Sequence, residues 1–261
     1  MRCSGVMSRS MKRSLRSLLS GVGDSLKRAA GPAHSAFPPD FDAESIKLFQ
    51  RVAPFTMTSR ERILSLCDSV RHVVKHSIPG DIVECGVWKG GSMMAAALVL
   101  TELHAERKLC LFDTFEGMPD PAEVDVDYRG RSAAERMEVE EKSGQGWAYS
   151  SFDEVRRNLG STGYPDHQIS LIKGKVEDTI PKNAPDRISL LRLDTDWYES
   201  TYHELRSLYP RLSVGGVLII DDYGHWAGAR KAVDQYIQEE GLQLLLHRID
   251  YTGRIAVKLQ S

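Results

Sequence analysis

The chain has 261 residues, of which 27% are charged and 41% hydrophobic, the proportions of an ordinary globular protein. Its formal net charge of −2 gives no reason to expect nucleic acid or an anionic membrane as a partner. No apolar run reaches the ~18 residues that a membrane-spanning helix needs. The 4 cysteines show neither the spacing of a zinc site nor that of a disulfide framework, which favours a reducing, cytoplasmic location.

The amino-terminal part of the chain differs in composition from the remainder. Residues 1–36 are rich in Arg, Lys, Ser and Gly, and Asp24 is their one acid. We predict a flexible basic extension over residues 1–38 and one folded domain over residues 39–261. A helix lying on an anionic surface and an organelle transit peptide are the alternatives for the extension.

The first segment of the predicted folded domain has helical periodicity. Apolar side chains recur at intervals of three and four over about residues 43–76, which predicts two helices. Pro54 is expected to interrupt them, because proline lacks the N–H that a helix interior uses. Thr58 or Ser59 is expected to cap the second helix.

After Pro79 and Gly80 the chain alternates short apolar stretches with helical patterns. This alternation predicts an α/β fold with a buried, mostly parallel sheet that helices cover on both faces. The predicted strands are Asp81–Cys85, Leu109–Asp113, Ile169–Lys173, Ile188–Asp194 and Val217–Asp222, and the predicted helices are Met93–His104, Tyr202–Tyr209 and Ala229–Glu240.

Two other segments depart from this alternation. Leu242–Ile249 and Arg254–Leu259 flank a turn at residues 250–253, so we predict an antiparallel hairpin at the end of the sheet. Residues 118–152 are too long for a simple connection, and we predict an inserted helical lid or loop there.

A glycine-rich turn follows the first predicted strand. Residues 84–92 read Glu-Cys-Gly-Val-Trp-Lys-Gly-Gly-Ser, with the spacing Glu-x-Gly-x-x-x-Gly. Glycines let the backbone approach a ligand closely, and such a ligand lies beyond the carboxyl ends of the strands. The spacing matches neither the dinucleotide fingerprint nor a Walker A sequence. A tight turn that binds nothing is the alternative.

The second predicted strand ends in an acid, Asp113. A carboxylate there can accept hydrogen bonds from a ribose diol, or it can cap the turn that follows. Together with the glycine-rich turn, Asp113 indicates an adenosine-containing ligand without a pyrophosphate. S-adenosylmethionine fits that description.

Four aspartates lie at the ends of the fourth and fifth predicted strands. Asp194 ends the fourth strand and Asp196 comes two residues later, and Asp221 and Asp222 end the fifth strand. Neighbouring strands lie ~4.8 Å apart, so these carboxylates would repel one another unless a cation or protons neutralised them. An all-oxygen cluster suits Mg²⁺ before Ca²⁺ or Mn²⁺. Separate helix caps and loop acids are the alternative.

These elements suggest a mechanism. A metal ion would lower the pKa of a substrate hydroxyl, and a carboxylate would take its proton. The resulting oxygen nucleophile would attack a sulfonium methyl group. Asp194 or Asp196 is the candidate base, and His225 in the following loop ranks below them.

Five segments together resemble the macrocin O-methyltransferase family, which includes sugar O-methyltransferases of macrolide and aminocoumarin antibiotic biosynthesis. The resemblance runs from about Phe49 to the carboxyl terminus. The segments that carry it are Thr56–Arg62, Glu84–Ser92, Phe112–Pro119, Leu193–Thr201 and Gly215–Gly224.

The resemblance implies a class I methyltransferase, a Rossmann-like fold with a seven-stranded, mostly parallel sheet and a carboxyl-terminal antiparallel hairpin. It also implies S-adenosylmethionine, Mg²⁺ and a substrate lid over residues 118–152. Carried over by position, it gives Asp194, Asp221 and Asp222 as metal ligands and Asp194 or Asp196 as the base. The implied cofactor site consists of Glu84, Gly86, Ser92 and Asp113, with Met57 and Thr58 covering it.

The leading prediction is therefore a Mg²⁺-dependent O-methyltransferase. Its acceptor would be a hydroxyl of a small molecule, a sugar of a glycosylated natural product or a saccharide. A metal-dependent hydrolase or phosphatase could use the same aspartates, and a non-catalytic binding module could keep the fold. The resemblance also raises a homodimer as an expectation. The charge and the apolar runs lead us to expect no nucleic-acid partner and no membrane span.

Overall fold

This computed structural model describes residues 37–142 and 147–260. The predicted basic extension lies outside the described residues, apart from Phe37 and Pro38. The chain divides into two units, residues 1–46 and residues 47–261, and the second contains the sheet. Within the described ranges, no helix is both long and apolar enough to cross a membrane.

Helices and strands alternate along the described chain. The helices are α1 (Ala43–Val52), α2 (Arg60–Lys75), α3 (Gly91–Glu102), α4 (Ala133–Lys142), α5 (Phe152–Gly160), α6 (Val176–Thr179), α7 (Tyr198–Leu208) and α8 (Ala227–Glu239). The strands are β1 (Asp81–Cys85), β2 (Leu109–Asp113), β3 (Ile169–Lys173), β4 (Ile188–Leu193), β5 (Leu212–Ile220), β6 (His247–Arg248) and β7 (Arg254–Val257).

The strands form one seven-stranded sheet in the order β3-β2-β1-β4-β5-β7-β6. The first five are parallel, and β7 pairs antiparallel with β5 and β6. Cys85 lies beside Leu193, and Leu193 lies beside Ile220, so β1, β4 and β5 end at one edge. This architecture confirms the predicted class I methyltransferase fold, and it aligns the glycine-rich turn with both pairs of aspartates.

Core side chains cover both faces of the sheet. On β4 every residue is buried, and successive side chains point to opposite faces. Leu190 packs in the cluster that contains Val70 of α2 and Leu100 of α3. Leu191 packs in the cluster that contains Leu205 of α7 and Val233 of α8. The sheet is therefore buried on both faces, as its apolar strands predict.

The break between the first two helices occurs where proline predicts it. Helix α1 ends at Val52, and a short 3-10 turn, Ala53–Phe55, contains Pro54. Of the two predicted caps for α2, Ser59 has the role, because its side chain accepts a hydrogen bond from Arg62 N at 3.2 Å. The cap fixes the start of α2 beside the sheet edge that carries the aspartates.

The carboxyl-terminal hairpin is shorter than predicted. Strand β6 has two residues, because it pairs only with Ile255 and Arg254 at the edge of the sheet. The preceding residues Leu242, Leu244 and Leu246 pack against the α7–α8 side of the core instead of joining the ladder. Their apolar alternation resembles a strand, but it serves packing outside the sheet.

Strand β5 begins five residues before its predicted start. Leu212 pairs with Ile188 across a register shift, and the strand then passes through Gly215 and Gly216. These glycines resemble a turn in the sequence. In the structure Gly216 permits close packing, since a Cβ there would lie 2.7 Å from Ser213 O.

The predicted insert contains helix α4 and two isolated antiparallel bridges, Val126 with Ser132 and Asp127 with Trp226. Buried Asp125 joins it to the domain by accepting a hydrogen bond from Tyr198 N at 2.9 Å. A Cβ on Gly228 would lie 1.8 Å from Asp125 Oδ1, so this contact requires glycine on α8. The insert is therefore anchored beside the edge where β4 and β5 end.

Candidate active site

The glycine-rich turn brings the end of β1 against β4 and against the turn after α1. Gly86 has φ +81°, and a Cβ there would lie 2.0 Å from Asp194 O. A Cβ on Gly91 would lie 2.5 Å from Phe55 O. Any other residue at either position would force the backbones apart. The turn thus leaves the amino terminus of α3 facing the sheet edge.

Asp113 secures this turn from the end of β2. Its Oδ2 accepts hydrogen bonds from Val87 N at 2.6 Å and Trp88 N at 3.1 Å, and its Oδ1 accepts one from Phe115 N at 2.7 Å. The turn-capping interpretation of Asp113 is therefore part of the structure. The carboxylate also lines the cavity described next, so its contact with a ribose stays a prediction.

One cavity lies beyond the carboxyl ends of β1, β4 and β5. Most residues singled out from the sequence line it: Met57, Thr58, Gly86, Ser92, Asp113, Asp194, Asp196, Asp221, Asp222 and His225. Glu84 is not among the lining residues. Its carboxylate is buried, and Arg192 Nη1 lies 2.6 Å from Glu84 Oε1.

Three aspartates converge in this cavity. One carboxylate oxygen from each of Asp194, Asp221 and Asp222 lies within 4.8 Å of the others. Asp222 Oδ2 is buried and has no hydrogen-bond partner among the described residues. An all-oxygen donor set with an unpartnered buried oxygen fits a hard divalent cation such as Mg²⁺.

Arg192, which the sequence analysis did not single out, is the main counter-charge of the cluster. It is fully buried on β4. Its Nη2 lies 2.9 Å from Asp194 Oδ2 and 2.7 Å from Asp221 Oδ1, and it donates to Thr58 Oγ1 at 2.8 Å. A charged residue inside an apolar strand is a signal that could have revealed it, because buried arginines are almost always paired.

Arg62 supplies a second positive charge from the first turn of α2. Its Nη1 contacts Asp221 Oδ2, and its Nε lies 3.0 Å from Asp250 Oδ2. Asp250 Oδ1 accepts hydrogen bonds from the N–H groups of Thr252 and Gly253. Arg62 therefore connects the aspartate cluster to the hairpin turn, a connection that no local sequence pattern indicates.

Burial changes the ionisation of the aspartates. It raises the pKa of Asp194 well above its usual range; Arg192 opposes this, and repulsion from Asp221 and Asp222 adds to it. Burial, with the charge of Asp194, raises the pKa of Asp196 to about 7. A carboxyl group with a pKa near neutrality is suited to accept a proton from a substrate.

Glu204 of α7 lies beneath the turn that carries Asp194 and Asp196. It is fully buried and accepts a hydrogen bond from Thr195 Oγ1 at 3.0 Å. Burial raises its pKa well above the usual range, and its hydrogen bond with Thr195 opposes this only in part. Asp196 itself has φ +66°, so the turn is in the left-handed region, which Asp tolerates better than most residues.

His225 lies in the same cavity, beside Tyr251. Its Nδ1 is 3.1 Å from Tyr251 Oη. Burial, together with the nearby Arg136, lowers the pKa of His225. A neutral imidazole can also accept a proton, so His225 stays a candidate base beside Asp194 and Asp196.

A cluster of three tryptophans, which no sequence motif indicated, contributes Trp147 and Trp226 to the cavity wall. The rings of Trp147, Trp197 and Trp226 lie 5.0–5.8 Å apart between centroids. Arg136 of α4 stacks over Trp147, with its Cζ 4.3 Å from the ring centroid. Trp147 and Arg136 belong to the insert, so the insert contributes directly to the cavity.

A narrower pocket continues from the cavity along the ends of β2 and β3. The two share Gly86, Asp113 and Asp194, and the pocket adds residues 174–177 after β3. No motif in the sequence indicates this segment. The combined space is elongated along the sheet edge.

Comparison with known proteins agrees with this geometry. The family model described as Macrocin-O-methyltransferase (TylF) matches residues 41–257. A Streptomyces olivaceus protein, 8-demethyl-8-(2,3-dimethoxy-alpha-L-rhamnosyl)-tetracenomycin-C 4'-O-methyltransferase, is 36% identical over 217 residues, covering 82% of this chain and 80% of the relative. Demethyldecarbamoylnovobiocin O-methyltransferase of Streptomyces niveus is 34% identical, covering 76% and 73%.

Solved methyltransferase structures share this fold. The O-methyltransferase NovP aligns with a TM-score of 0.69 and 32% identity, covering 79% of this chain and 83% of that chain. The calicheamicin methyltransferase CalS11 shares the fold, with a TM-score of 0.59, 21% identity and coverage of 87% and 98%. The resemblance seen in the sequence is thereby confirmed, and the chain belongs to the macrocin-O-methyltransferase family.

Proposed function

We propose that this protein transfers a methyl group from S-adenosylmethionine to a hydroxyl of a small-molecule acceptor, a sugar of a glycosylated natural product or a saccharide. One observation carries the proposal: a single cavity joins the glycine-rich turn and Asp113 to a buried cluster of aspartates. The relatives named above support it, because their names describe methylation of natural products.

The elongated space fits a nucleoside-bearing cofactor. The glycine-rich turn offers close backbone approach, and Asp113 offers carboxylate oxygens near where a ribose would lie. The pocket after β3 provides length beyond Asp113. S-adenosylmethionine supplies an electrophilic methyl group when bound. Met57, whose side chain is 62% exposed, is free to cover the opening.

Asp194, Asp221 and Asp222 would hold the Mg²⁺ ion. A bound divalent cation lowers the pKa of a hydroxyl that it contacts. Arg192 contacts both Asp194 and Asp221, and Arg62 contacts Asp221, so the two arginines hold these carboxylates in place.

Asp196 is the residue that we assign as the base. With a pKa of about 7 it takes the acceptor proton as a carboxylate and becomes a neutral acid. The insert, residues 118–152, would act as the acceptor-side lid through Trp147 and Arg136. Trp147 and its neighbours exclude water from the reacting atoms.

Calorimetric titration of S-adenosylmethionine, with Mg²⁺ and with chelator, tests the cofactor. Turnover on hydroxylated glycosides, followed by mass spectrometry, tests the reaction. Asp194→Ala should abolish turnover while cofactor binding persists. Asp186→Ala is the matched control, because Asp186 is an exposed acid before the opposite end of β4.

Absence of cofactor binding under both conditions would refute the methyltransferase proposal and favour the metal-dependent hydrolase. Full turnover by Asp194→Ala would instead show that Asp194 has no role in the reaction, and the proposal of cofactor binding would stand.

A further inference from the structure

A second groove opens beside the active-site cavity. Its volume is about 770 Å³, and it runs along α8 from Ala227 to Gln238. His225 and Trp226 line both spaces. A molecule that places one end at the aspartates therefore has room to extend its other end into the groove.

Three aromatic rings surround the junction of the two spaces. Tyr128 and His225 lie 5.5 Å apart between ring centroids, and His225 and Tyr251 lie 6.0 Å apart. Tyr128 lines the groove, whereas Tyr251 lines the cavity. Both tyrosines are about half exposed, at 54% and 53%. Exposed aromatic faces at such a junction suit the apolar face of a sugar ring.

The groove carries more free positive than free negative charge. Asp127 is neutralised by Arg131, whose Nε and Nη2 lie 2.7 and 2.6 Å from Asp127 Oδ2. Within the described residues, Arg230 and Lys231 lie within ion-pair distance of no carboxylate. Each instead stacks over a tyrosine ring, at 5.4 and 5.0 Å.

One further acid reaches the groove. Asp234 accepts a hydrogen bond from Tyr223 Oη at 2.7 Å and makes no ion pair within the described residues. The groove therefore presents two cations, Arg230 and Lys231, against one acid. The amino terminus of α8 adds a partial positive charge in the same place.

We propose that this groove binds a phosphate group that the acceptor carries beyond the methylated sugar, with Arg230 and Lys231 as its counter-charges. The acceptor is then a sugar phosphate or a sugar diphosphate ester. A guanidinium suits a phosphate because it donates two parallel hydrogen bonds. The inference rests on the proposed function, because it takes the aspartate cavity as the site of methyl transfer.

Equilibrium binding tests the groove directly. Glucose 1-phosphate, inorganic pyrophosphate and methyl α-glucoside are titrated calorimetrically into the full chain in the presence of EDTA, so that no metal ion contributes. We expect saturable binding of both phosphate-bearing probes, weakened by added salt. We expect methyl α-glucoside to bind at least tenfold more weakly than glucose 1-phosphate.

Variants assign that binding to the groove. Arg230→Gln/Lys231→Gln should weaken both phosphate probes at least tenfold. Lys231→Gln alone should weaken them severalfold and preserves the hydrogen bond from Arg230 Nε to Tyr223 O. Arg206→Gln is the matched control, because Arg206 stacks over Tyr202 of α7 outside the groove.

Several results would overturn the inference. These are equal binding by the groove variants and the wild type, no saturable binding of glucose 1-phosphate, or binding of methyl α-glucoside as tight as that of glucose 1-phosphate. Pyrophosphate binding without glucose 1-phosphate binding would indicate an anion site that no sugar acceptor uses. Titration of S-adenosylmethionine is the independent arm: a chain that binds it but no phosphate refutes the groove alone, whereas a chain that does not bind it refutes the proposed function.

Discussion

Replacing Arg192 with methionine tests whether the buried guanidinium is the counter-charge of the site. The change preserves much of the side-chain volume but removes the contacts with Glu84, Asp194 and Asp221. Removing one partner of a buried ion pair costs about 3–5 kcal/mol, because the groups left behind must either stay charged without a partner or take up a proton. We expect a loss of that size in the free energy of unfolding at pH 8.

Part of this loss should depend on pH through Glu84. Burial raises the pKa of Glu84 from 4.5 to about 7, and Arg192 is the main opposing influence. A raised folded-state pKa gives stability that is full below 4.5 and is lost as the pH rises through about 7. Without Arg192 the Glu84 carboxyl stays protonated at pH 8. Because pH 8 is one unit above the wild-type pKa of about 7, this lowers the free energy of unfolding by about 1.4 kcal/mol more than in the wild type. At pH 5.5 both proteins carry a protonated Glu84, and this difference disappears.

The assay is urea unfolding followed by the fluorescence of the buried tryptophans at pH 8 and pH 5.5. Arg192→Met/Glu84→Gln should remove the part of the pH dependence that Glu84 contributes. Arg206→Met, an exposed arginine on α7, is the control and should change stability little at either pH. An Arg192→Met cost below about 1 kcal/mol at pH 8, or one equal at both pH values and unaffected by Glu84→Gln, would refute the reasoning.

Three further predictions concern the site and the insert. Asp196→Asn should lower kcat by ~10²-fold or more without changing S-adenosylmethionine affinity. The wild-type rate should rise as the pH rises through about 7, because Asp196 then becomes a carboxylate. Full activity in Asp196→Asn together with a defect in His225→Gln would assign the role of base to His225. Asp113→Asn should weaken cofactor binding about tenfold in calorimetry, because Asp113 accepts hydrogen bonds at both oxygens and an amide has one oxygen. An unchanged Kd would rule out Asp113 as a cofactor-binding residue. Gly228→Ala places a Cβ 1.8 Å from Asp125 Oδ1 and should lower stability in urea by about 1–3 kcal/mol; unchanged stability would show that the insert moves aside.

The sequence predicts this fold well where a short apolar strand lies between clear turn residues. Strands β1, β2 and β3 have the predicted bounds, because apolar runs between turn residues have no competing interpretation. It predicts the hairpin and the start of β5 less well. Leu242–Leu246 alternate like a strand but pack outside the sheet, and Gly215–Gly216 resemble a turn but lie within a strand.

The sequence also indicates which acids meet, but not what neutralises them. Parallel strands that end together bring Asp194 and Asp221 to one edge, whatever the details of the helices. The pairing of Glu84 with Arg192 requires the register of β1 against β4, where these two residues are direct neighbours. The contact of Arg62 with Asp221 requires the position of α2 as well. Both are long-range properties that local patterns do not contain.

The contacts of Arg192 offer a reason for the buried charges of this site. Well-packed hydrophobic side chains in place of Glu84 and Arg192 would give a sheet edge at least as stable, because desolvation of a buried ion pair offsets its attraction. Arg192 is instead shared between Glu84 and two aspartates that line the cavity. Its guanidinium leaves Asp222 Oδ2 without a partner among the described residues. A network that holds two carboxylates in place beside an unpartnered third oxygen favours the binding of a cation over stability. The proposed metal-assisted methyl transfer requires such an arrangement.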